Sequence, residues 1–428
     1  AGFEPPANRL ASRITADGKT FRYSDARFDD LLTDPSSVPD FGSVNNIAGE
    51  LVLVPGYYDG GNTDPAASPN DRVVLTGTAF GQPASGIRAD TGEYPGRDAF
   101  VLVDAADNVV YLPIDGTDGA AAMTSDEVRA LMSNALAVAN RSRAQIRTPL
   151  GTPARVSISI VDSNGVALAI ARTRDAPIFG TEVSLQKART AAFFSSAVAA
   201  SELQALPPAA YLDGGVELLN TVDIGAYVGA AQAFLDDPAA LTNGAFAFSD
   251  RAGGNLSRPF YPDGVDNTEH GPFSKRAGFW SPFAIGLQLD LVYNAIIQHV
   301  AFVAGIAPDV GRGCAGLTGI DNAAPFTRPN PVTDLLANGI QIFPGSVPIY
   351  RGDTLIGGIG ISGDGVDQDD MIAFLGLHEA GLETGTINNA PPAIRADNLL
   401  PRGTRLRFIN CPQAPYINSD EQNVCENK

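Results

Sequence analysis

The sequence predicts an α+β protein: one antiparallel sheet with packed helices, carrying a long helical and loop insertion and preceded by a β-rich N-terminal region. Three observations carry this. Val156, Ile158 and Ile160 alternate with smaller residues, Ser163-Asn164-Gly165 turns, and Val166 to Arg172 returns, the pattern of an antiparallel hairpin. A second strand pair follows far downstream, Ile340 to Tyr350 and the Gly-interspersed Thr354 to Ser362, around the turn Arg351-Gly352-Asp353. Each pair runs into a segment of helical periodicity, Thr181 to Ser196 and the stretch beginning near Asp370. Strand pairs followed by helices describe a layered α+β arrangement rather than a parallel sheet.

Residues 1–120 read as an N-terminal region of short β-rich runs separated by Gly, Asn, Asp and Pro turns: Glu50 to Pro55, Arg72 to Phe80 and Ala99 to Asp104, with Ala106 to Pro113 as a return strand. A helix then opens at Thr124-Ser-Asp-Glu127, a capping-box sequence, and Val128, Leu131, Met132, Ala135, Leu136 and Ala139 follow on one face. The hairpin and the helix 181–196 complete the first half of a domain over 121–205, whose second half is 336–390. Asp367 or Asp369 is expected to cap the helix that carries Met371, Ile372, Phe374, Leu375 and His378.

Between these halves, residues 206–335 form an insertion rich in Gly, Pro and Asn around one apolar stretch, Phe283 to Gly305. That stretch is long enough to cross a bilayer. Yet Asp290, Asn294 and Gln298 recur every fourth residue, with Gln288 and His299 beside them, so the expectation is a core helix with one wet edge and no membrane span. Residues 391–428 form a tail in which Cys411 and Cys425 are spaced for a disulfide, a cross-link worth roughly 3 kcal/mol in the chain-entropy treatment. Cys314 is the odd third cysteine.

The chain has 428 residues, 44% hydrophobic and 18% charged, which are globular values with length for two or three domains. Its net charge of −19 repels nucleic-acid backbones and anionic lipid, so neither is an expected partner. A cystine in the tail favours an oxidising compartment, periplasmic or secreted. The start at Ala1 is explained by a cleaved signal peptide and equally by trimming.

The run Phe179-Gly-Thr-Glu-Val-Ser-Leu-Gln-Lys187-Ala-Arg-Thr-Ala-Ala-Phe-Phe194, with the hairpin before it and Phe343 to Gly363 and Asp367 to Asp370 after the insertion, resembles the GlcG/HbpS family. Its members include haem-binding and haem-degrading proteins and the C-terminal domain of PduO. The resemblance implies that the helix bearing Lys187, Arg189, Thr190 and Phe194 lines a ligand pocket, faced by Pro344, Gly345, Gly357, Gly360 and Ser362. A lysine or arginine facing a cavity there would pair with a haem propionate or another carboxylate. The strand glycines have a second explanation, close approach of a helix to the sheet. His299 and His378 are the candidate haem-iron ligands.

Asp364, Asp367 and Asp369 offer oxygens for calcium, although no closing bidentate Glu follows and a helix N-terminus already favours acidic residues. No Gly-x-Ser-x-Gly, His-Glu-x-x-His or zinc-spaced Cys/His set occurs, and Cys-x-x-Cys-His is absent, which excludes covalent c-type haem. Two functional readings result. One is an exported small-ligand binding protein, with haem as the ligand and haem degradation as a related activity. The other is a non-catalytic structural or accessory protein, a homo-oligomer or a subunit of a larger assembly. An enzyme acting on a small organic acid or aldehyde is a third, carried only by the wider family.

Overall fold

The structure, a computed structural model, describes residues 15–16, 19–20, 79, 81–149, 151–211, 221–262, 269–275, 286–303 and 334–428. The chain divides into two compact units, residues 1–75 and 76–428. In the first, Thr15–Ala16 and Lys19–Thr20 pair as a short antiparallel ladder. The expected strands at 50–55 and 72–78, and Cys314, lie outside the described residues.

The second unit is built on a seven-stranded antiparallel sheet. Its elements in chain order are β1 (Ile87–Ala89), β2 (Phe100–Leu102), α1 (Ser125–Arg141), β3 (Val156–Asp162), β4 (Ala167–Arg172), α2 (Gly180–Ser195) and α3 (Ala199–Ala205). The insertion supplies α4 (Ala226–Leu235), α5 (Asp250–Leu256) and α6 (Leu287–Val303). After it come β5 (Ser346–Arg351), β6 (Thr354–Gly363), α7 (Val366–Thr384) and β7 (Asn388–Asn389). The strand order is β7-β5-β6-β3-β4-β2-β1, so β6 from after the insertion pairs directly with β3 from before it. The two halves share one sheet. The sheet also recruits β1 and β2 from before residue 121, so the compositional boundary at 120 falls inside this unit.

Register separates the two faces by side-chain size. Ile160 pairs with Ile359 and Ile158 with Ile361, and these four join Val347 and Ile349 on the face covered by α1 and α7. The opposite face presents Ser157, Ser159, Gly358, Gly360 and Ser346, and α2 lies against it. A Cβ on Gly358 would overlap the Ala188 carbonyl, and one on Gly360 would overlap Ser184 O and Ala188 N. Ser159 and Ser184 hydroxyls meet at 2.8 Å across the same contact. Small residues on the strands thus let a helix backbone come down onto the sheet. A second core then forms on the outer side of α2, where Phe193, Phe194 and Leu185 meet Phe248, Leu256, Phe273, Leu287 and Leu336.

The ends of α1 follow the sequence closely. Thr124 and Glu127 form the reciprocal capping box, with Glu127 N donating to Thr124 Oγ1 at 3.3 Å and Thr124 N to Glu127 Oε2 at 2.8 Å. The start of α7 differs from expectation. Gly365 occupies its N-cap without a side-chain cap, and Asp367 and Asp369 fall in the first turn, where they pair with cations instead. The tail returns to the core through Phe408 and Tyr416 and is closed by a Cys411–Cys425 disulfide.

Candidate functional site

The segment expected to line a pocket is buried by the chain's own atoms. Lys187 is 2% exposed; its Nζ donates to the Ile361 carbonyl at 2.7 Å and to Asp369 Oδ2 at 3.0 Å. Gly345 lies against this pair, since a Cβ there would sit 2.6 Å from Lys187 Nζ and 2.8 Å from Asp369 Cβ. Arg189 donates to Gly165 O at 2.8 Å and to Asn338 Oδ1 at 3.0 Å. The Thr190 hydroxyl donates to Gln186 O at 2.7 Å and accepts from Gln341 N at 2.9 Å. Phe194 stacks on Phe273 with ring centroids 5.1 Å apart. Residues 338–341 and the insertion therefore cover α2.

The other positions expected in the pocket wall are also close-packed. Gly357 is filled by close approach of Val161 O and Met123, Gly360 by α2, and Ser362 O abuts the start of α2 at Gly180. Pro344 and Gly345 are buried. Among the described residues these positions form a packed seam, because the glycines admit helix backbone where a ligand wall would need space.

What Lys187 does join is a buried polar knot of four chain segments. From the insertion, Arg251 pairs with Asp367 at 2.6 Å and with Asp370. From the tail, Asn410 N donates to Asp370 Oδ2 at 2.9 Å. Asp250 is fully buried, and among the described residues neither of its carboxylate oxygens has a hydrogen-bond partner; one oxygen each of Asp369 and Asp370 is likewise unpartnered. Burial raises the Asp250 carboxyl well above its ordinary value against the pull of Lys187, with Asp370 adding to the rise. Burial also lifts Asp370 to about 6, although Arg251 opposes it. Asp369 is raised by burial despite Lys187. Such a knot holds protons that an exposed carboxylate would lose.

The calcium expectation is corrected here. Asp364 takes Arg147 Nε on both oxygens at 2.9 Å and the Arg155 N–H at 3.0 Å, Asp367 takes Arg251, and Asp369 takes Lys187. Each carboxylate has its own cation, and no group of three metal-ligating side chains is found among the described residues.

Of the iron candidates, His299 lies outside the residues whose side chains are described. His378 is half-buried on α7, nine positions beyond Asp369 and so roughly 13 Å along the helix from the Lys187 pair. Burial, with Lys428 beside it, lowers its pKa against Glu379, which keeps the imidazole neutral and its lone pair available. His270 Nδ1 lies 2.9 Å from Gly271 O.

One cluster escaped the sequence reading. Asp290, expected on a wet edge of α6, is 3% exposed, and its carboxylate is the meeting point of the Tyr227 hydroxyl at 2.6 Å, the Lys275 ammonium at 2.8 Å and the Tyr211 hydroxyl. The every-fourth-residue polar stripe marked the position; its partners, from three other segments, were not readable. No helix among the described residues is long and apolar enough to cross a membrane. Two open cavities among the described residues lie on the tail. One of about 540 Å³ runs between α5 and residues 404–409, and one of about 580 Å³ lies beside Arg141 and residues 416–428.

Comparison with known proteins bears on the sheet rather than on these cavities. The family model described as haem degrading protein HbpS-like matches residues 125–247 and 317–378. These segments hold α1, β3, β4, α2, α3 and α4, then β5, β6 and most of α7. A solved crystal structure of a PduOC:haem complex aligns with 60% of this chain and 94% of its own, at 15% identity and a TM-score of 0.23. No curated protein matches the chain.

Proposed function

We propose, from the premise that this chain carries a GlcG/HbpS-like domain, that the protein binds a haem-related small ligand. The observation that carries the reading is the closure of both family-matched segments into one sheet across a long insertion. The domain is thus whole rather than a pair of fragments. Within it, His378 has a neutral, half-exposed imidazole of the kind that ligates iron. The cystine at Cys411–Cys425 supports export to an oxidising compartment.

Titration with haemin tests this directly. A saturable Soret band that shifts or weakens in His378→Ala is the expected result. Absence of a saturable band in the wild-type protein overturns the reading.

A second reading is favoured by one observation: Lys187, Arg189 and Thr190 all direct polar atoms to partners within the chain. On that reading the fold serves as a scaffold in a larger assembly, as a homo-oligomer or an accessory subunit. The native mass of protein purified from its source separates the two, because a scaffold runs as a complex and stays colourless with haemin.

A further inference from the structure

We propose that the groove between α5 and the C-terminal tail binds an organic carboxylate that also carries an N–H donor and an apolar body, such as an N-acyl amino acid or the C-terminal end of a peptide. The groove, about 540 Å³, falls in the range of small-ligand sites and lies outside the Lys187 seam. It goes beyond the haem reading and does not rest on it.

Three features of the wall define the ligand. Arg407 is exposed and makes no hydrogen bond or ion pair among the described residues, whereas its neighbour Arg405 is tied to Asp397 at 2.7 Å. On a chain of net charge −19, a cation left without a counter-ion beside a groove is a seat for a carboxylate, which a guanidinium holds with two parallel bonds. Asn255 lines the same groove and is half satisfied. Its Nδ2 donates to Pro262 O at 3.1 Å, while its buried Oδ1 has no partner. An acceptor in that state gains from a donor on the ligand, and leaving it unmade costs affinity.

Phe408, Ile409 and Pro262 complete the lining with apolar surface. The Arg405–Asp397 pair is neutral in sum, so one negative charge rather than two suits the groove. Carboxylate, adjacent N–H and apolar side chain occur together in an acylated amino acid and in a peptide terminus.

Calorimetric titration of the full chain with N-acetyl-L-phenylalanine, its C-terminal amide and the peptide Gly-Gly-Phe tests the assignment. Saturable binding of the carboxylates is expected, weakened about tenfold or more in Arg407→Gln and about tenfold or more for the amide, the ordinary worth of a hydrogen bond to a charged group. Asn255→Ala should weaken binding independently, and circular dichroism of both variants guards against loss of fold. Tighter binding of the peptide than of the acetylated amino acid assigns the site to peptide termini, and the reverse order to free acyl amino acids. Undiminished affinity in Arg407→Gln, or no saturable binding of either carboxylate by the wild-type protein, overturns the proposal.

Discussion

Lys187 Nζ lies 3.0 Å from Asp369 Oδ2, and the pair joins the helix before the insertion to the helix after it. Both side chains are 3% exposed, and Gly345 is wedged against them. Each charge compensates the desolvation of the other, so the pair acts as a clasp between the two halves of the sheet domain.

Breaking this clasp on one side should be costly. Lys187→Met leaves the Asp369 carboxyl buried without its cation and should lower unfolding free energy by about 3–5 kcal/mol. The double variant Lys187→Met with Asp369→Asn should recover part of that loss. Urea denaturation of the three proteins measures both effects. A loss below about 1 kcal/mol in Lys187→Met would instead release the lysine for a ligand.

The seam between α2 and the sheet makes a steric prediction. In Gly360→Ala the new methyl meets Ser184 O and Ala188 N, both backbone atoms that cannot swing aside. Overpacking of this kind costs about 1–3 kcal/mol, read as a lower thermal midpoint. Gly229→Ala is the control. That position lies within α4, is exposed and has nothing within 4 Å of the added methyl, so helix propensity should stabilise it by up to about 1 kcal/mol.

Local pattern and remote partnership explain what could and could not be read in advance. The capping box at Thr124 and Glu127, the hairpin 156–172 and the return strand after Arg351 are specified within a few residues and form as expected. The place of β1 and β2 in the same sheet depends on pairing with Arg172 and Ala171, which no local signal announces. The same limit governed the site. Local sequence marks Lys187 as a charge on a helix, but whether it faces a cavity or a carboxylate depends on Asp369 beyond the insertion. The polar stripe around Asp290 likewise predicts a solvated edge, whereas Tyr211, Tyr227 and Lys275, from three remote segments, surround its carboxylate.

The tail offers a third test. The disulfide joins cysteines 14 positions apart, and Phe408 and Tyr416 of the same tail enter the core beside α7 and α1. Cys411→Ser with Cys425→Ser should therefore destabilise the whole second unit by about 3 kcal/mol, rather than merely loosening its end. A denaturation midpoint equal in the reduced and oxidised proteins would mean that the tail unfolds separately.

Acid and base should act on opposite parts of this fold. Burial works against charge on Glu127, but hydrogen bonds from Arg351, Thr386 and the Thr124 backbone outweigh it and hold the group at about 2. A lowered carboxylate contributes stability that is present above the ordinary value of 4.5 and lost as pH falls through 2. Asp370, raised to about 6, has the opposite sign: its contribution is complete below 3.8 and disappears as pH rises through about 6. Asp250, raised well above its ordinary value by burial, adds to that loss as pH rises. Asp250→Asn keeps the shape and removes the titration. It should raise stability at pH 8 by on the order of 1–3 kcal/mol while changing little at pH 4. Urea midpoints across that range measure it. An equal effect at both ends would show that Asp250 carries no proton linked to folding.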